Sequence, residues 1–156
     1  MREETYMKMA VDIANENVIT NSGGPFGAVV VKNGQIIGVG RNQVTAKKDP
    51  TAHAEIQAIR AACEFLDSYQ LTDCELYTSC EPCPMCFGAI YWSRLKTIYY
   101  GCTKEDAAKI GFDDQFIYDH ITLPVEKRSI PMIRVLPENT YSPFQAWINS
   151  TQKKEY

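Results

Sequence analysis

Within SCEPCPMC, residues 79–86, cysteines stand at positions 80, 83 and 86. Thiols spaced this closely constrain the fold more than any apolar pattern, because a shared ion would pin several elements to one point. Two histidines could join them, His53 in TAHAEI and His120 in YDHI. His120 follows Asp119 near the end of a short amphipathic stretch and reads as a surface or helix-end cation. His53 opens a helical pattern just after DPTA, with Glu55 two residues on, and reads as a ligand.

The spacing then gives a geometry. His53 falls in the first turn of one helix, and Cys83 and Cys86, three apart, share one side at the start of another. Both helices aim their positive ends at one spot, which favours thiolate. Three ligands leave a tetrahedral zinc one open position, where water becomes hydroxide near neutral pH. Cys80 would close the set, but it ends the strand pattern CELYTSC, whereas Cys83 opens the next element across a Glu-Pro turn. An iron–sulfur run would continue with a fourth cysteine at 90, which is Ile90. Cys80 is therefore expected to be a small buried neighbour. A closed structural site has no use for Glu55; beside a zinc hydroxide it can carry the proton of water to a ring nitrogen and a second proton to an exocyclic amine. The expected reaction is hydrolytic deamination.

The remaining sequence supplies the frame. Residues 3–20 place Tyr6, Met9, Ala10, Ile13 and Ala14 at helical spacing, and SGGPFG ends that helix. AVVV and IIGVG, joined by Asn33-Gly34, read as a β-hairpin. Residues 53–66 read as a helix whose apolar face holds Ile56, Ile59, Ala62, Cys63 and Leu66. Strands are expected at 74–79, 96–101 and 129–136, with a helix from Pro84. Near the end, Ser142 is the expected N-cap and Pro143 the first residue of a helix over about 142–154. This order predicts an α/β fold, a sandwich with a mixed sheet of about five strands. With 156 residues, 45% hydrophobic and 22% charged, and without a linker or repeat, one domain over 1–156 is expected. The net charge of −3 argues against nucleic acid as a main partner. MREETYMKMAVDIANENV has no apolar leader region and no run is long enough for a membrane span, so a cytoplasmic protein with reduced thiols is expected. Cys63, Cys74 and Cys102 are then ordinary buried thiols, with redox pairing the alternative.

TAHAEI with EPCPMC matches the H-x-E…P-C-x-x-C signature of the zinc nucleoside and nucleobase deaminases. Beyond it, GGPFGAVVV, DPTAHAE, SCEPCPMCFGAIYW, GFDDQFIY and SPFQAW resemble the bacterial guanine deaminases of the cytidine/deoxycytidylate deaminase superfamily, nearly end to end. The resemblance implies a three-layer α/β/α fold, one Zn2+ per subunit on His53, Cys83 and Cys86, and Glu55 as proton shuttle. It also implies a homodimer, with the C-terminal helix on the partner and exchanged C-terminal segments as one arrangement. The implied reaction converts guanine and water to xanthine and ammonia. On this reading Asn42 donates to the O6/N7 edge, Phe26 stacks on the ring, Ala54 lines the pocket, and Asp114 accepts from the 2-amino group as a second catalytic residue. Other readings stand beside these: a solvated turn or N-cap for Asp113-Asp114, a core position for Phe26, and for Tyr156 either a lid closing the pocket across the dimer or a frayed tail.

Rival substrates differ only in pocket shape: the adenosine of a tRNA, guanosine, cytosine or an aminated triazine. The tRNA rival calls for a basic surface, whereas this chain is acidic overall and ends in QKKEY without an arginine-rich tail. A zinc-stabilised binding module is the non-enzymatic alternative, predicting bound metal without turnover.

Overall fold

The structure, a computed structural model, describes residues 1–156. The chain falls into two compact units, Met1–Gln115 and Phe116–Tyr156. The first contains α1 (Arg2–Ile19), β1 (Gly27–Lys32), β2 (Gln35–Arg41), the short α2 (Val44–Lys47), α3 (Ala54–Leu66), β3 (Cys74–Cys80), α4 (Pro84–Trp92), β4 (Thr97–Cys102) and α5 (Lys104–Lys109). A further helix, α6 (Gln115–Thr122), leads into the second unit, which also holds α7 (Ser142–Asn149).

The sheet runs in the order β2-β1-β3-β4. β1 is antiparallel to both β2 and β3, while β4 is parallel to β3 and reached by the α4 crossover. The hairpin turns where Asn33 and Gly34 both adopt positive φ, 49° and 79°, as the Asn-Gly pair requires. Alternation along β1 divides the core. Ala28 and Val30 face α3 and α4 with Leu76, Ala58, Ala62 and Ile90, while Val29, Val31 and Tyr77 face Tyr6, Met9 and Ile13 of α1. The first unit is thus the expected three-layer α/β/α sandwich with a mixed sheet.

The sheet and α3 each differ from the sequence reading in one detail. The sheet has four strands, because residues 129–136 form none. The buried stripe of α3 is Ala54, Glu55, Ala58 and Ala62; Ile59, Cys63 and Leu66 are only half-buried against the same core. The reason is close approach: a Cβ on Gly38 or Gly40 of β2 would overlap the α3 backbone at Ala58 or Ala54. Glycine faces alanine, and the larger residues pack at the rim.

In the second unit Arg128 gathers the end of α6, its Nε donating to the carbonyls of His120 (3.1 Å) and Leu123 (3.3 Å). α7 starts one residue before the expected position, with Tyr141 as N-cap and Pro143 in its first turn, and ends at Asn149. Neither α6 nor α7 has a buried residue. No helix of the chain is long and apolar enough to cross a membrane.

Candidate metal centre and active site

His53 and Cys83 occupy the same position in two helices: each is the N-cap, of α3 and α4 respectively, with extended backbone. Cys86 follows one turn into α4. Because β1 runs antiparallel to both β2 and β3, these two strands end at the same end of the sheet, and the helix starts that follow them, of α3 and α4, meet there. His53 Nδ1 lies 3.5 Å from Cys83 Sγ and 3.5 Å from Cys86 Sγ, and the three donor atoms fall within 4.8 Å of one another. Cys80 lies outside this triangle. Buried at the end of β3, it points its Sγ 3.7 Å from the Thr103 carbonyl, and burial pushes its thiol up to about 12.

The triangle is electrostatically crowded. Hydrogen bonding from Cys86 holds the Cys83 thiol down to about 4, with the His53 contact adding to the effect. Cys86, hydrogen-bonded to Cys83, buried and beside Glu55, is pushed far above the ordinary thiol range. Its hydrogen bond to Cys83 raises His53. Two thiols and an imidazole that compete for protons in a half-buried pocket suit a dication, which lets both thiols ionise together. The donor set fits zinc.

Glu55 is buried at the start of α3, and burial raises its carboxyl above the usual range. Its Oε2 accepts from Cys86 Sγ at 3.5 Å and its Oε1 lies 3.2 Å from the Thr78 hydroxyl. A carboxyl whose affinity for a proton is raised by burial, at the edge of a metal triangle, is able to both take and give a proton.

Phe26, Asn42, Ala54 and Asp114 lie in the same compact unit as the donor triangle. Asn42, buried just beyond β2, extends the hairpin ladder by donating its backbone N–H to Phe26 O at 3.2 Å. Its neighbour Gln43 donates to Ala52 O at 2.9 Å, which draws Asn42 towards the segment that carries His53. The Asn42 side-chain oxygen accepts from Val44 N at 3.3 Å. Phe26 is half-buried; it packs on the core and meets Phe112 edge-on, ring centres 5.0 Å apart. Ala54 is fully buried under β2. The acidic pair divides: Asp113 accepts from Gln115 N at 2.9 Å and starts α6, whereas Asp114 is partly buried, and burial and the charge of Cys83 raise its carboxyl. Tyr156 belongs to the second unit, 68% exposed. His120 is bound within its own helix, Nδ1 2.6 Å from Phe116 O. All six cysteines are free; Cys74 is buried as expected, but Cys63 is only half-buried and Cys102 is exposed because it ends the outermost strand.

Two polar residues at this end of the sheet carry no sequence signal: Thr78, which faces Glu55, and Asn17, fully buried near the end of α1 with hydrogen bonds to Gly24 and Asn42. A hydroxyl within a strand and an amide within a helix are too common to single out. Only the SGGPFG turn that follows α1 hints that its last turn needs a polar anchor.

Residues 1–102 match the cytidine and deoxycytidylate deaminase zinc-binding region. The chain belongs to this family. It is 58% identical to a guanine deaminase of Bacillus subtilis over the whole of both chains. The X-ray structure of guanine deaminase from Bacillus subtilis superposes with a TM-score of 0.96 over 98% of each chain, again at 58% identity. A tRNA-specific adenosine deaminase of Buchnera aphidicola is 40% identical over 69% of this chain and 65% of its own length.

Proposed function

We propose that this protein hydrolyses guanine to xanthine and ammonia, with His53, Cys83 and Cys86 holding one zinc ion and Glu55 moving the protons. The observation that carries the chemistry is the buried Glu55 carboxyl, 3.5 Å from Cys86 at the edge of the donor triangle. A binding module has no need of it. Guanine as substrate is supported by the end-to-end likeness to a guanine deaminase, whereas the likeness to tRNA-specific adenosine deaminases covers a smaller share of the chain. The net charge of −3 also suits a free base better than an RNA.

Zinc held there supplies Lewis acidity that makes water nucleophilic near neutral pH. Glu55 takes a proton from the attacking water and passes it to the ring nitrogen beside C2, then carries the remaining proton of the added hydroxyl to the exocyclic amine, so that the C2–N bond breaks, ammonia leaves and C2 keeps the oxygen. Guanine offers O6 and N7 as acceptors along one edge. Asn42, with its oxygen engaged by Val44, donates there. Phe26 lies against a ring face, Ala54 forms part of the wall, and Asp114 accepts a hydrogen bond from the 2-amino group, orienting it as it takes up the proton that lets it leave as ammonia. Tyr156 closes the pocket across a dimer.

The whole chain, 1–156, works as one deaminase domain, and a second copy completes it by exchange of C-terminal segments. The apolar residues of the second unit support this: Ile133 is 83% and Phe144 72% exposed, and a second copy would cover them. A cytoplasmic setting suits a centre that needs two reduced thiolates.

Ammonia release from the zinc-loaded protein, with guanine, guanosine, adenine, cytosine and a tRNA stem-loop in parallel, tests the function. Turnover of guanine alone is expected. Release from another member of the panel would keep the zinc chemistry and overturn the substrate, while bound zinc without any release would favour a binding module.

A further inference from the structure

Asn17 is fully buried, three residues before the C-cap of α1, and each of its polar groups except one has work. Its backbone carbonyl accepts from Ser22 N at 2.9 Å and from Gly23 N at 3.3 Å. Its side-chain Nδ2 donates to Gly24 O at 2.8 Å and to Asn42 O at 2.9 Å. Two N–H groups facing two carbonyl oxygens fix the orientation of the amide, since the reverse would set oxygen against oxygen. Oδ1 is left buried and unpaired, an uncommon state that shows which end of the amide the fold needs.

The partners of Asn17 carry the expected substrate contacts. The Gly24 carbonyl also accepts from Phe26 N at 2.8 Å, and Asn42 N donates to Phe26 O. A Cβ on Gly24 would meet the Phe26 ring at 3.3 Å and Asn42 Cγ at 3.6 Å, so both side chains flank this glycine. A Cβ on Gly23 would overlap the Asn42 carbonyl oxygen and reach Asn17 Nδ2 at 2.9 Å. One amide thus ties the end of α1, the 22–26 turn and the residue after β2 into a single junction.

We propose that Asn17 is a positioning residue for base recognition: through the two carbonyls it holds, it sets Asn42 and Phe26 against the base without touching it. The proposal rests on the reading of Asn42 as the residue that meets the O6/N7 edge. A helix-end asparagine with only a structural role would lower stability and the active fraction. It would not raise KM selectively, nor depend on the presence of Asn42.

The test is a double-mutant cycle on the zinc-loaded full chain, with Asn17→Ala, Asn42→Ala and the combination, read as KM and kcat for guanine, zinc content and melting temperature. Asn17→Ala is expected to keep one zinc, raise KM about tenfold, which is within the coupling seen for residues in one hydrogen-bond network, and lower kcat less. In the Asn42→Ala background the same change is expected to raise KM by a clearly smaller factor, because only the part carried through Gly24 and Phe26 remains. Full additivity, with Asn42→Ala itself harmful, overturns the role of Asn17 and leaves the Asn42 reading standing. An Asn42→Ala enzyme with unchanged KM overturns both. Should Asn17→Ala fail to fold, Asn17→Ser, which keeps a hydroxyl donor, enters the same cycle and is judged by the same coupling.

Discussion

At the scale of single residues the proposal assigns metal binding to some groups of the centre and proton transfer to Glu55, and substitution distinguishes the two roles. Glu55→Gln keeps the shape of the side chain but cannot carry a proton. It is expected to retain zinc and lose about 10²- to 10⁴-fold in kcat, measured by ammonia release beside metal analysis. Cys80→Ser is expected to retain one zinc per chain, because Cys80 turns towards Thr103, while Cys86→Ser loses it. Zinc loss in the Cys80 variant would mean that the donor triangle is wrongly drawn. The residues of this centre were legible because a ligating imidazole, a carboxylate and two thiols at fixed spacing are chemically uncommon together. Thr78 and Asn17 were not, since their importance lies in what the fold sets opposite them: Glu55 for one, the Gly24 and Asn42 carbonyls for the other.

At the scale of elements, the position of His53 and Glu55 depends on how closely α3 lies on β2. Gly40 has its α carbon against the first turn of α3, where an added methyl would overlap Ala54 O and lie near Ala58 N. Gly40→Ala is expected to cost about 1–3 kcal/mol as overpacking and, by pushing the helix start outward, to weaken zinc binding. A denaturant titration with a parallel zinc competition assay reads both; a variant as stable as the parent and fully loaded would show that α3 is free to shift. Most elements were visible in local patterns, from the Asn33-Gly34 turn to the proline at the start of α4. The alanine stripe of α3 was not, because hydrophobic periodicity favours Ile56 and Leu66, and only the glycines across the interface explain why smaller residues are buried. The same limit produced the misplaced strand at 129–136: Ile130, Ile133 and Val135 have the β-branched character of a strand, but a strand also needs a neighbouring edge, and local sequence does not supply one.

At the scale of the whole molecule, the distribution of thiols and of apolar surface gives two expectations. Burial raises Cys63 and Cys74 above their ordinary value of 9.0 and Cys80 to about 12. Above pH 9 the unfolded chain therefore releases protons that the folded one keeps. Stability from these groups is full below pH 9 and is lost as pH rises through the raised value of each thiol, which for Cys80 means between pH 9 and about 12. Urea midpoints at pH 7.5 and 10 should differ accordingly, and Cys80→Ala should flatten the difference. The second expectation concerns association. The apolar residues of 116–156 are arranged along α6, the segment to 136 and α7, and Trp147 and Ile148 of α7 remain 44% and 62% exposed. Covering such a surface with another copy is favoured by roughly 25 cal/mol per Å² of apolar area removed from water, partly offset by the entropy of association. Light scattering should thus give about twice 17.6 kDa at micromolar concentration. Phe144→Glu, which places a charge at a 72% exposed apolar position of α7, should shift the mass towards 17.6 kDa and, if the exchanged segment completes the pocket, reduce turnover with it. A monomeric parent would remove the partner from the proposal, whereas a monomeric variant with full activity would keep the dimer and show that each pocket is complete within its own chain.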